Sequence, residues 1–339
     1  MIRKIKYYLM RLTRMDWKGL KEGLNYAHEK SSRNRVILFF DMMYCSVKYL
    51  AGYVDYNEFE FYNLTNKQRK TFITTGQSHK VAYAYNDSNY TYIFNDKSIF
   101  NKKFSKYVHR ALIDLRDTDA QGLESFVREY TKVMAKRTND YVGRGIDKID
   151  ISETPDLNFE QLYKDLIAND QFLIEEFFKQ HETMNKLSDK SVNTIRMITF
   201  LDNDGEPHLF VAALKSGLGG HVDNIGQGGM YTILDDSGSV SVAFIDKYGK
   251  HHTAHPITGE SLIGFKIPNY FEVLSQVYEA AKLIPQVRYI GWDVAISQSG
   301  DAELIEGNTT TGPFQVIPSL SKDPRGVRPE YEKYVDIKL

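Results

Sequence analysis

Cysteine is nearly absent. Cys45 stands alone in 339 residues, so no intrachain disulfide can form and a reducing cytoplasm is the expected compartment. An excess of either charge is lacking too: 43 Lys and Arg face 44 Asp and Glu, which leaves no overall basic character to hold nucleic acid. Long apolar runs are missing. The longest, 36–54, is interrupted by Asp41 and Lys48 and is too broken for a membrane span, and no apolar stretch of secretory type follows the basic amino-terminal end. Neither an internal repeat nor a low-complexity tract stands out. What remains is an ordinary globular composition, 42% hydrophobic and 26% charged, in a chain long enough for two or three packed subdomains.

The stretch that organises the chain is 287–314, VRYIGWDVAISQSGDAELIEGNTTTGPF. Residues 289–296 are apolar and β-rich, Ser299-Gly300-Asp301 is turn chemistry, and 302–305 form a second short strand. In such a hairpin Asp293 can face Glu306 across the ladder, and Glu306 and Asn308, two apart, share one face. Two carboxylates and an amide oxygen are hard ligands suited to Mg²⁺ bridging nucleotide phosphates; solvated acids on a surface hairpin are the alternative.

Elsewhere the pattern is structural first. Residues 1–35 read as a basic helix with an apolar stripe of Ile2, Ile5, Leu9, Leu12 and Trp17. Such a helix lies either on an anionic membrane or on its own domain with a solvated basic face, and the second reading is preferred. Residues 36–75 look helical and rich in rings, as a core would be. Residues 158–169 and 269–283 read as amphipathic helices. A strand over 191–200 carries Arg196 among apolar residues, where a cation is costly unless an anion meets it, either a phosphate or a neighbouring acid. After the Asn203-Asp204-Gly205 turn an antiparallel partner runs over 208–214 to Lys215, and a glycine-rich loop follows over 216–229. His251, His252 and His255 are read as a loop without metal, since no acid accompanies them on a helix. The tail, 321–339, is polar and expected to wrap the surface.

Five of these pieces, in order, resemble the ATP-grasp superfamily. They are Lys136 with the loop closing on Gly143 and Gly145, the Glu175–Glu182 segment, Arg196, Lys215 with its glycine loop, and Asp293, Glu306 and Asn308. Asn193-Thr194-Ile195-Arg196, Asp223-Asn224 and the ring-rich amino-terminal region look most like the sugar-transfer-associated branch, which occurs with bacterial surface-polysaccharide genes such as those for capsule. The resemblance implies an α+β fold of two lobes with mostly antiparallel sheets clamping ATP, behind a helical amino-terminal region. The implied division is 1–94, a central lobe over 95–178, and a carboxy-terminal lobe with the metal site over 179–339.

It also implies roles. Lys136 and the glycines Gly143 and Gly145 would meet phosphates, although Arg137 and Asp140 stand where the family usually has proline and glycine. Glu175 would accept the adenine amine between the apolar walls of Phe177 and Phe178, and Glu182 would hold the ribose. Lys97, in an Asp-Lys pair, would approach phosphates unless it is an ordinary surface lysine. Arg196 and Lys215 would act on the transferring phosphoryl group, and Asp293, Glu306 and Asn308 would hold Mg²⁺. In related D-alanine–D-alanine ligases an arginine lies two places before the first metal acid. Here that place is Gly291, so oxyanion stabilisation is expected from Arg196. The implied activity is an ADP-forming carboxylate–amine ligase acting on a sugar or glycan precursor. A kinase of the same fold and a non-catalytic nucleotide-binding scaffold are the alternatives. A homodimer and a peripheral contact with the inner face of the membrane stay open.

Overall fold

The computed structural model describes residues 16–139, 145–219 and 228–339. The chain divides into two compact units. One comprises Met1–His79 with Gln315–Pro329 and Leu339; the other comprises Lys80–Phe314 with Glu330–Lys338. The chain returns to the first unit after Phe314.

The smaller unit is helical among its described residues. Asp16 caps the helix Trp17–Ser31 and Asn34 caps Arg35–Lys48, each side chain accepting from a first-turn backbone N–H. The ring-rich stretch forms the core as expected: Tyr56, Phe59, Phe61 and Phe72 are all buried, with Phe59 and Phe72 centroids 5.7 Å apart. Arg69 forks onto Asp41 at 2.8 and 2.6 Å and also donates to the Phe61 carbonyl. Gln315 joins the unit much as a strand would. Its amide accepts from Ile73 N at 2.9 Å and donates to Ile73 O at 2.7 Å.

The larger unit holds two antiparallel sheets. The first contains β1 (Leu112–Asp114), β2 (Lys132–Lys136), β3 (Ile146–Asp150) and β4 (Leu173–Glu176), in the order β1-β4-β2-β3. Two amphipathic helices, Ala120–Tyr130 and Phe159–Ala168, bury Leu123, Val127, Phe159 and Leu166 with the inward residues Val133 and Ile149. The second sheet contains β5 (Ile195–Leu201), β6 (Pro207–Ser216), β7 (Met230–Ile233), β8 (Phe244–Asp246), β9 (His251–His252), β10 (Tyr289–Ile296) and β11 (Ala302–Asn308). Its order is β11-β10-β5-β6-β7-β8-β9. The helix Tyr270–Lys282 packs Val273, Val277 and Ala280 into its core. The tail corrects a simple surface wrap: Tyr331 is fully buried and its hydroxyl lies 2.8 Å from that of Tyr289.

One irregularity decides the site. Ile296 pairs with Ala302 and Val294 with Leu304, a register that would set Asp293 opposite Ile305. A bulge intervenes, and Asp293 pairs with Glu306 instead. Without that extra residue Glu306 and Asn308 would point from the other face.

Candidate functional site

The β10–β11 hairpin and its neighbour β5 assemble one charged cluster. Gly291, Asp293 and Arg196 lie on one face, since Asp293 is the cross-strand partner of Arg196 as well as of Glu306. The anion that meets Arg196 is therefore an acid: its Nε and NH2 donate to the two Asp293 oxygens at 2.7 and 2.8 Å. Lys215, at the end of β6, brings Nζ to 2.9 Å from the same carboxylate. Arg196 NH1 also donates to Thr311 Oγ1 at 3.1 Å, and its guanidinium sits over the Phe314 ring. Burial works to raise the Asp293 carboxyl, but Arg196 and Lys215 outweigh it and hold it well below the usual carboxylate range.

Glu306 is in the opposite situation. Desolvation, and then the negative Asp293 beside it, push its carboxyl upward against the pull of Lys97 and Arg196. Asn308 Nδ2 donates to Glu306 Oε1 and to the Gly291 carbonyl, both at 3.3 Å. Gly291 fits for a steric reason. A Cβ there would collide with Thr311 Oγ1 and press on Arg196 Cδ, so the volume beside this position is already filled by those two side chains.

A second cluster sits on the first sheet. Arg110 is buried with NH1 2.6 Å from Glu303 and Nε 3.0 Å from Glu175. Lys136 closes the other side of Glu175, and Asn101 Nδ2 donates to it at 3.1 Å. Burial favours the protonated Glu175, yet Arg110 and Lys136 prevail and its carboxyl lies well below the ordinary range. His109 N and Nδ1 meet Glu303 as well, at 2.9 and 3.1 Å. An ionic chain thus runs from β2 through β4 to β11. The helix Lys97–Lys103 serves both clusters: the charge of Lys97 favours ionised Glu306, and Asn101, one turn on and on the same side, binds Glu175. Phe94, Phe100 and Phe104 around this helix pack on Trp292 of β10.

The residues expected to act together are therefore brought together in part. Asp293, Glu306, Asn308, Arg196, Lys215 and Lys97 form one neighbourhood. Glu175 and Lys136 are joined to each other. The expected role of Glu175, as acceptor of an adenine amine, meets a carboxylate already surrounded by two cations and an amide. Phe177 and Phe178 are half-buried after β4, and Glu182 is exposed in the first turn of the short helix Glu182–Asn185. Gly145 adopts φ +62°, with the Arg137 side chain packed where a Cβ would be. Gly143 and Asp140, like His221, Asp223, Asn224, Gly226 and Gln227, lie outside the described residues. His252 meets Asp246 at 3.0 Å and His255 meets the Gly217 carbonyl at 3.1 Å.

Reading by sequence passes over Arg110, Glu303 and Thr311. Arg110 and Glu303 carry the same signal as Arg196, a charge flanked by apolar neighbours, and could have been found that way. The set Asp293, Glu306 and Asn308 fits a hard dication by its donor chemistry: two crowded carboxylates, one pushed toward protonation, are what a dication would reconcile. Asp293 would take part only as its two cations turn toward another anion.

No curated protein matches the sequence. Among solved structures the chain is similar to the ATP-grasp ligase PsnB with a phosphomimetic precursor variant, Mg and ADP, at 13% identity and TM-score 0.44, covering 74% of this chain and 60% of that one. It is also similar to N5-carboxyaminoimidazole ribonucleotide synthetase with ADP, at 12% identity and TM-score 0.41, covering 73% and 52%. A third is D-alanyl-alanine synthetase A from Vibrio cholerae, at 11% identity and TM-score 0.39, covering 67% and 60%. The chain spans about three fifths of the PsnB chain first compared. A family model described as sugar-transfer associated ATP-grasp matches residues 77–324, well over half of the chain, and the chain belongs to that family.

Proposed function

We propose that this protein is an ATP-dependent carboxylate–amine ligase that works through an acyl phosphate and joins an amine to a carboxylated sugar or glycan precursor. The observation that carries the reading is the convergence of Asp293, Glu306 and Asn308 with Arg196, Lys215 and Lys97 on one side of the β10–β11 hairpin. The description of the family supports a sugar-linked substrate.

In this reading a substrate carboxylate oxygen attacks the γ-phosphorus of ATP, the bond to the β-phosphate oxygen breaks, and ADP leaves. Lys215, Arg196, Lys97 and Lys136 stabilise charge on the phosphoryl oxygens, which is where such a transfer gains most. Asp293, Glu306 and Asn308 would hold Mg²⁺, which neutralises phosphate charge when bound. The amine nitrogen then attacks the acyl carbon, phosphate departs with the carbonyl–oxygen bond, and the ammonium proton passes to solvent. Arg196 would serve the developing oxyanion, since Gly291 offers no side chain.

The test is product analysis with Mg·ATP, pooled amino acids and uronic-acid sugars, with Glu306→Gln as control. ADP and free phosphate formed together, only with a pool and only by the wild type, are expected. ADP without free phosphate would mean a kinase. AMP would overturn both.

A further inference from the structure

The helix Arg35–Lys48 has two apolar faces, and among the described residues only one is packed. Leu38, Met42 and Cys45 point inward and are buried. Ile37, Phe40, Tyr44 and Val47 recur at spacings of three, four and three on the opposite side, where they are 62, 66, 39 and 56% exposed. Monomeric proteins seldom leave so continuous a stripe of large side chains in water without a partner. Asp41, the acid of this helix, is taken by Arg69 and Tyr56, so it does not mark the outer face. The exposed charges at the two ends are basic: Arg33 and Arg35 at the start and Lys48 at the finish. Lys48 lies along the stripe, its ammonium 4.7 Å from the Tyr44 ring centroid, as a lysine does when its stem covers apolar surface and its head seeks a polar boundary.

Charge selects among occupants. Residues 16–48 contain six Lys and Arg against four Asp and Glu, and three of the six, Arg33, Arg35 and Lys48, bracket the stripe. A second copy on this face would bring like charge to like. An anionic bilayer brings an apolar interior bounded by negative headgroups, the complement of an apolar stripe with basic ends. No described helix is long and apolar enough to cross a membrane, so the contact is one of lying on the surface. We propose that the outer face of the helix Arg35–Lys48 is a docking surface for anionic lipid bilayers, reinforced by Arg33, Arg35 and Lys48 at its ends. The inference is independent of the ligase reading.

Flotation of the full chain with vesicles tests it, comparing phosphatidylcholine alone with phosphatidylcholine containing phosphatidylglycerol. Co-flotation with the anionic vesicles at low salt, weakening as salt rises, is expected. The double substitution Ile37→Asp/Phe40→Asp should lower partitioning by about tenfold or more, while Phe40→Leu keeps it. Both variants should melt as the wild type does, because the side chains are exposed. Equal partitioning of wild type and double variant, or no flotation at low salt, would overturn the proposal. So would a wild-type dimer in sedimentation that dissociates in the double variant without any lipid binding, which would assign the face to a second copy.

Discussion

At Glu306 two effects of one side chain oppose each other. Its carboxyl is raised by desolvation and by Asp293, so the folded state resists ionisation there more than the unfolded state does. A raised carboxylate contributes stability below its unfolded pKa and loses it as pH climbs through its folded pKa. Glu306→Gln is therefore expected to melt higher than the wild type at neutral pH, with the gap closing as pH falls toward the ordinary glutamate range. The same variant should lose ATP turnover. Thermal scans across pH and a phosphate-release assay check the two halves separately. Gly291→Ala tests the steric account: its methyl group meets Thr311 Oγ1 and Arg196 Cδ, and overpacking of this kind costs about 1–3 kcal/mol. Denaturant titration should show that loss, and Thr311→Ser should leave the clash with Oγ1 unrelieved.

Among elements, the ionic chain from β2 to β11 has the largest consequence for stability. Arg110→Met leaves Glu175 and Glu303 buried with one charge too few, and removing one partner from such a cluster costs about 3–5 kcal/mol. The loss should shrink as pH is lowered and the orphaned carboxyls take up protons, which chemical denaturation at two pH values would reveal. The antiparallel pairing around the hairpin is legible in the sequence, because the Ser299-Gly300-Asp301 turn and the apolar runs leave little choice. Lys215 at the end of its strand and the amphipathic helices are legible for the same reason. The facing of Asp293 and Glu306 is as expected, but the bulge that achieves it is not legible, since strict continuation of the register from the turn would set Ile305 there. Nor is the pairing of Glu175 with Lys136 and Arg110, which joins residues in and beside one sheet that lie far apart in the chain. Sequence names the charged residues; it does not say which of them neutralise one another.

For the whole molecule, the return of Gln315–Pro329 joins a late segment of the chain to the amino-terminal unit. The polarity of this segment conceals that role, because Gln315 is bound by its amide rather than by apolar surface. Gln315→Ala strips Ile73 of both partners and leaves the Val327 N–H, 3.1 Å from the same oxygen, without its acceptor. Unsatisfied buried polar groups cost about 1–3 kcal/mol each, so the amino-terminal unit should become the earlier site of proteolysis in this variant. Hydrogen exchange should show lost protection at Ile73 and Val327, while β5 and β10 in the larger unit keep theirs.

The cations of the site are already balanced by internal acids. Arg196 and Lys215 share Asp293, with Glu306 beside it, and Arg110 and Lys136 share Glu175, with Glu303 on Arg110. In the language of ion exchange, a ligand enters only by swapping counter-ions: a polyphosphate must replace Asp293 beside the lysine and arginine, and a dication must replace them beside Asp293. A simple anion can supply only half of that swap. Inorganic phosphate should therefore compete poorly, and ATP without a dication should bind more weakly than the metal complex, so that the resting site is closed to the phosphate and sulfate of its surroundings by its own stoichiometry of charge.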